Sequence, residues 1–250
     1  MSDLRYVAIG DSFTEGVGDE RDDGIPRGWA DLVAQGWATS RGEPIEYANL
    51  AIRGKLAWPV VDGQLESALA LRPTHLSFNG GGNDMLRPGT KIARIVDAYV
   101  KVVRRCREEG VTPILLAGAD PSGGLPMSRL IRSRGDELSD AVIARLRREE
   151  DIVWANNWTD AELRDPTFWS PDRLHMNTRG HHRVAARVLG ALGADAPESW
   201  WVSPDQAAAH LGTREYYRAH VAPWVRRRVT GRSSGDGRAA KIPEWVTIRP

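Results

Sequence analysis

The sequence predicts an α/β protein: a three-layer α/β/α domain on a flavodoxin-like, five-stranded parallel sheet, followed by a C-terminal extension of helix and loop. Short apolar runs alternate with stretches of helical periodicity, the pattern of repeated βαβ units. The first run, Leu4-Arg5-Tyr6-Val7-Ala8-Ile9, is β-branched and aromatic, as a buried strand would be. Five such runs suit an open sheet better than a barrel, and 250 residues suffice for one domain with a sizeable core.

The strands are expected at 4–9, 45–50, 74–78, 113–117 and 151–154. The helices between them show cleaner periods. Trp29, Leu32, Val33, Gly36 and Trp37 share one face, and Val61, Leu65, Ala68 and Leu69 make a second stripe. Ile92, Ile95, Val96, Tyr99, Val103 and Cys106 make a third. Leu138, Val142 and Leu146 follow, and Val184, Val188, Leu189 and Leu192 come last. There is no internal repeat.

Composition excludes several classes. Hydrophobic residues make up 41% and charged residues 27%, an ordinary globular balance. A net charge of +1 provides no global field for nucleic acid. No apolar stretch has the length of an integral membrane segment. The start, Met1-Ser2-Asp3-Leu4-Arg5, has neither a basic n-region nor an apolar h-region, so no signal peptide is expected. Cys106 is the only cysteine and falls on a helical stripe. It reads as a core thiol, which excludes a disulfide framework and suits a reducing, cytoplasmic setting.

The composition changes after about Leu192, which divides the chain into a domain at 1–195 and an extension at 196–250. Residues 203–250 hold nine Lys/Arg against four Asp/Glu, a surplus of five positive charges that leaves the rest with four negative. Ser203-Pro204-Asp205 is a good helix start. Tyr217, Val221, Trp224 and Val225 form an apolar stripe, interrupted by Pro223, that must be buried somewhere. The expectation is that this extension docks on the main domain and supplies no chemical group.

Four stretches carry groups fit for chemistry. Gly10-Asp11-Ser12 follows the first strand, Arg53-Gly54-Lys55 the second and Gly80-Gly81-Gly82-Asn83-Asp84 the third. Asp172-Arg173-Leu174-His175 lies beyond the fifth. In a parallel sheet such loops share one edge, where open α/β sheets place their ligands. A hydroxyl is a poor nucleophile until a base takes its proton; His175 can do that for Ser12, and Asp172 can fix the tautomer of His175. The backbone N–H groups of Ser12 and Gly54 and the side-chain amide of Asn83 can serve a developing oxyanion.

These four blocks resemble, in order, those of the SGNH hydrolases, also called GDSL-type esterases and lipases. The resemblance spans roughly residues 4–192. It implies a three-layer α/β/α fold and hydrolysis of a small-molecule ester or acetyl substrate without metal or other cofactor. It also implies Ser12 as nucleophile, Asp172 and His175 as its triad partners, and Ser12, Gly54 and Asn83 as the oxyanion hole. Phe13 stands where the family often has leucine, a conservative departure.

Rival signals are weaker. Gly231-Arg232-Ser233-Ser234-Gly235 matches G-x-S-x-G, but a basic segment precedes it where a nucleophile elbow needs a strand, so it reads as a flexible loop. His175, His181 and His182 lack the partners of a metal site. Gly80-Gly81-Gly82 lacks the lysine of a phosphate loop. Asp11 and Asp84 read as turn holders, and Trp154, Trp158 and Trp169 as core. Arg129, Arg132 and Arg134 read as a solvated charged loop. Two alternatives to an esterase stay open: a carbohydrate deacetylase of the same mechanism, and a non-catalytic flavodoxin-like binding module. The natural substrate, the acyl-chain length and the oligomeric state have no signal in the sequence.

Overall fold

The computed structural model describes residues 3–201 other than 126 and 150, residues 233–250, and residues 215, 218, 219, 222 and 223. In chain order the elements begin with β1 (Arg5–Ile9), α1 (Ser12–Glu15), α2 (Gly28–Arg41) and β2 (Ile45–Asn49). Next come α3 (Ala57–Val60), a π-helical turn (Val61–Leu65), α4 (Glu66–Ala70), β3 (His75–Phe78) and α5 (Gly82–Met85). Then follow α6 (Ile92–Glu108), β4 (Thr112–Ala117), α7 (Ser128–Leu146), β5 (Val153–Asn156), α8 (Thr178–Ala191) and β6 (Ile242–Ile248).

The sheet order is β5-β4-β3-β1-β2-β6. The first five strands are parallel, in the flavodoxin-like order, and β6 runs antiparallel to β2. Successive side chains of a strand point to opposite faces, so β1 serves two cores. Val7 and Ile9 pack with α3, α4, α6 and α7; Tyr6 and Ala8 pack with α2 and α8. That double burial explains why β1 is apolar nearly throughout. Cys106 is a buried thiol on the sheet side of α6, and burial pushes its pKa up to about 12, which keeps it inert.

The expected strand ends are off by one or two residues, and two differences have a clear physical reason. The fifth strand starts at Val153, because Asp151 has a left-handed backbone (φ 65°) that no strand accommodates. The second difference is β6, a strand in a region expected to be helix and loop. Ile242, Trp245 and Ile248 are its half-buried residues, a spacing of three that hides the period of two. The register between β2 and β6 shifts between Tyr47 and Asn49, as a bulge does. Pro243 is tolerated because β6 lies at the sheet's edge. The expected helix start at Ser203-Pro204-Asp205 and the stripe Tyr217, Val221, Trp224 and Val225 lie outside the described residues.

Candidate active site

Ser12 opens α1 directly beyond β1, so its hydroxyl stands at the carboxyl edge of the sheet. The turn into α1 is tightly held. A Cβ on Gly10 would lie 2.7 Å from the Thr14 Cβ, so only glycine fits. The buried Gln64 amide brackets the Gly10 peptide groups, accepting from its N–H at 2.9 Å and donating to its carbonyl at 3.0 Å. Gln64 lies in the π-helical turn, a rare geometry frequent at functional sites. Asp11 caps α1 by accepting from the Phe13 N–H at 3.1 Å.

The loop beyond β5 is closed by a bridge between Trp169 and Met176 and by the Ser170 N–H donating to the His175 carbonyl at 2.8 Å. Within it, Asp172 Oδ1 accepts from the Ser170 hydroxyl (2.7 Å) and from the backbone N–H groups of Leu174 and His175 (both 2.9 Å). Its Oδ2 lies 2.6 Å from His175 Nδ1, and His175 Nε2 lies 3.0 Å from Ser12 Oγ. Burial alone would raise the Asp172 pKa. The hydrogen bonds and charge of His175, with the Ser170 hydroxyl, outweigh it and hold the carboxyl well below the usual range. An ionised Asp172 accepting from Nδ1–H leaves Nε2 free to accept from the Ser12 hydroxyl.

The structure brings the other expected residues to the same edge. Asn83, on α5, donates from Nδ2 to Asp11 Oδ2 at 3.1 Å and to the Lys55 carbonyl at 2.9 Å. The second bond ties Asn83 to the loop that carries Gly54. Gly54 has φ 76°, a left-handed backbone suited to glycine. Among the described residues no partner bonds the N–H of Ser12 or of Gly54. Tyr99 supports the Gly80–Gly82 turn, its one hydroxyl proton shared between the Gly80 carbonyl at 3.0 Å and the Leu116 carbonyl at 2.9 Å.

Ser12, Asn83 and His175 face a cleft of about 110 Å³ whose walls include Phe13, Val17, Met85, Leu86, Ile131 and Trp158. Trp158 and Trp169 are buried and also line this cleft, whereas Trp154 packs against the core beneath α6 and α7. Beyond its own turn, Asp84 Oδ2 accepts from the distant Ala57 N–H at 2.9 Å and so ties α5 to α3. His181 is fully buried, stacks on Phe13, and accepts from the Trp29 N–H at Nδ1 (3.1 Å). Arg134 donates to the carbonyls of Arg87 (3.0 Å) and Thr90 (3.1 Å). Sequence reasoning missed Ser170 and Gln64. The Ser-x-Asp spacing could have pointed to Ser170, but only the folded chain brings Gln64 to Gly10.

Known proteins agree with this architecture. The model of the GDSL-like Lipase/Acylhydrolase family matches residues 8–183, and the chain belongs to that family. It is thus an ester-hydrolysing enzyme with an α/β/α fold. The lipase Lip_vut3 from a goat rumen metagenome superposes with TM-score 0.65 at 17% identity, covering 77% of this chain and 98% of its own. A catalytic mutant of Axe2, an acetylxylan esterase from Geobacillus stearothermophilus, gives 0.63 at 18% identity, covering 81% and 98%. TesA gives 0.57 at 21% identity, covering 76% and 98%. No curated protein matches the sequence.

Proposed function

We propose that the enzyme cleaves carboxylic esters through an acyl-enzyme formed on Ser12. The observation that carries this reading is the unbroken line from Asp172 through His175 to the Ser12 hydroxyl, with bonds of 2.6 and 3.0 Å, beside an apolar cleft. His175 Nε2 takes the proton as Ser12 Oγ attacks the carbonyl carbon, and Asp172 stabilises the imidazolium. The oxyanion meets the Ser12 and Gly54 N–H groups and Asn83 Nδ2. His175 then returns the proton to the leaving alcohol. Water, activated by the same imidazole, releases the acid. Every described residue lining the cleft lies between Asp11 and Met176, so we assign the chemistry to residues 1–195 and none of its reacting groups to 196–250. The single buried thiol suits a reducing, cytoplasmic setting.

The cleft favours a short acyl group: it is smaller than the roughly 150 Å³ cavity that admits a benzene ring. Its carbon-rich walls favour an acyl chain over a sugar ring, the alternative raised by the acetylxylan specificity named for Axe2. The test is Ser12→Ala, assayed with p-nitrophenyl esters from acetate to decanoate and with acetylated sugars. In the parent, kcat/KM should peak at short chains and exceed that on the sugars. In the variant, kcat should fall on the order of 10⁶-fold. A folded variant that keeps a tenth of the activity would remove Ser12 as the nucleophile.

A further inference from the structure

Residues 233–250 lie beyond the span matched by the family model, yet they reach the candidate oxyanion loop. Ser233 Oγ donates to the Gly54 carbonyl at 3.2 Å. A Cβ on Gly54 would collide with the Ser233 and Ser234 hydroxyls, so the tail fills the space where a Gly54 side chain would stand. One residue on, Gly235 packs so closely on the Arg53 carbonyl that any Cβ there would collide with it. The tail thus touches both peptide planes that flank the Gly54 α-carbon, including the plane that carries the Gly54 N–H. The turn is itself held, with the Ser233 N–H donating to Asp236 Oδ2 at 2.8 Å and the Gly235 N–H to Ser233 Oγ at 3.2 Å.

The same segment grips the other shoulder of the site. Lys241 Nζ is buried and spends its three protons on the Glu15 carbonyl (2.9 Å), the Arg27 carbonyl (2.5 Å) and Asp31 Oδ1 (2.8 Å). Glu15 closes α1, the four-residue helix that Ser12 opens. So short a helix cannot hold itself, and its last carbonyls need outside donors. The Glu15 carboxylate in turn accepts from the Arg53 N–H at 2.6 Å and from Arg53 Nε at 2.8 Å, next to Gly54. Lys241, Glu15, Arg53 and Gly54 form one connected chain, which Ser233 and Gly235 close from the far side. Pairing of β6 with β2 anchors the whole.

We propose that residues 233–241 are a strap that positions the Gly54 N–H and the Ser12 turn for oxyanion binding, with Ser233, Gly235 and Lys241 as positioning residues. This rests on the reading of Ser12 as nucleophile and Gly54 as oxyanion donor. Gly235→Ala in the full-length enzyme tests it, because the added methyl must displace the Arg53 carbonyl and rotate the peptide that carries the Gly54 N–H. With the fold checked by circular dichroism, kcat should fall roughly tenfold or more while KM stays within about twofold, the split expected of a transition-state contact. A merely structural strap would lower Tm and leave kcat unchanged below the transition. Retention of kcat within twofold in the folded variant overturns the proposal. Should Gly235→Ala fail to fold, Ser233→Ala decides, with a fall in kcat of about threefold or more at unchanged KM as the expected result and no change as the refutation. A Ser12→Ala control keeps the two readings apart. Activity surviving in that control overturns the nucleophile assignment, whereas a silent control beside an undiminished strap variant overturns the strap alone.

Discussion

Asp11 joins two jobs at one carboxylate, capping α1 through Oδ1 and orienting Asn83 through Oδ2. Burial pushes its pKa up to about 6, against the opposing hydrogen bond from Phe13 and charge of His175. On the acid side Asp11 therefore takes up a proton and loses an acceptor for Asn83. Log kcat should therefore fall as pH drops through about 6, and Asp11→Asn should make that fall shallower; an unchanged profile would detach Asp11 from catalysis. The stability sign runs the other way from that of a salt-bridged carboxylate. A pKa raised in the folded state means that ionising Asp11 between about pH 4 and about pH 6 costs stability as pH rises. The Tm of Asp11→Asn relative to the parent should move in the variant's favour across that window. Its partner Asn83 donates to Asp11 and Lys55, and in the proposed mechanism it would share that amide with the oxyanion. Asn83→Ala should lower kcat by roughly 10²–10³ and leave KM nearly alone; a raised KM at constant kcat would make Asn83 a substrate-binding group instead.

At the scale of elements, β6 is more than an edge. It carries the chain past Lys241, whose ammonium is buried with Asp31, and Asp31 also accepts from the Tyr47 hydroxyl at 2.8 Å. Removing one partner of such a pair leaves a charge without compensation. Lys241→Met should cost about 3–5 kcal/mol of unfolding free energy in urea titrations. The double variant Lys241→Met/Asp31→Asn should recover most of that loss, and equal stabilities of single variant and parent would show that the pair is immaterial to the fold. The helical stripes were legible because each helix buries one face against the sheet, and α6 carries its buried stripe from Ile92 to Cys106 as the periodicity requires. The strand β6 was not legible. Its register shift against β2 removes the alternation by which a half-buried strand is recognised, and nothing local reports which strand it will pair with.

For the whole molecule, the described tail completes the sheet's edge beside β2 and closes the back of the candidate oxyanion loop. Truncation after Gly193 should therefore lower Tm or solubility, since it opens the β2 edge and strands Asp31 without its ammonium. The folded fraction should still react with a fluorophosphonate probe at Ser12, more slowly than the full chain. An unchanged Tm would show that the tail contributes nothing to the fold, and an unchanged labelling rate would speak against its hold on Gly54.

The sequence by itself determined the α/β/α class, the five parallel strands and the residues that meet at their edge. The reason is physical: a parallel sheet sends every loop after a strand to the same side, so Ser12, Gly54 and Asn83 converge once the strands are placed, and the Asp172/His175 pairing is local to one short loop. Tertiary structure alone decided what holds those residues. Gln64 reaches Gly10 across 54 positions, Asp84 reaches Ala57 across 27, and Lys241 reaches Glu15 across 226. Each is a hydrogen-bonded contact between groups far apart in the chain, with no period or spacing to announce it, and it exists only because packing of the sheet and helices brings its two ends together.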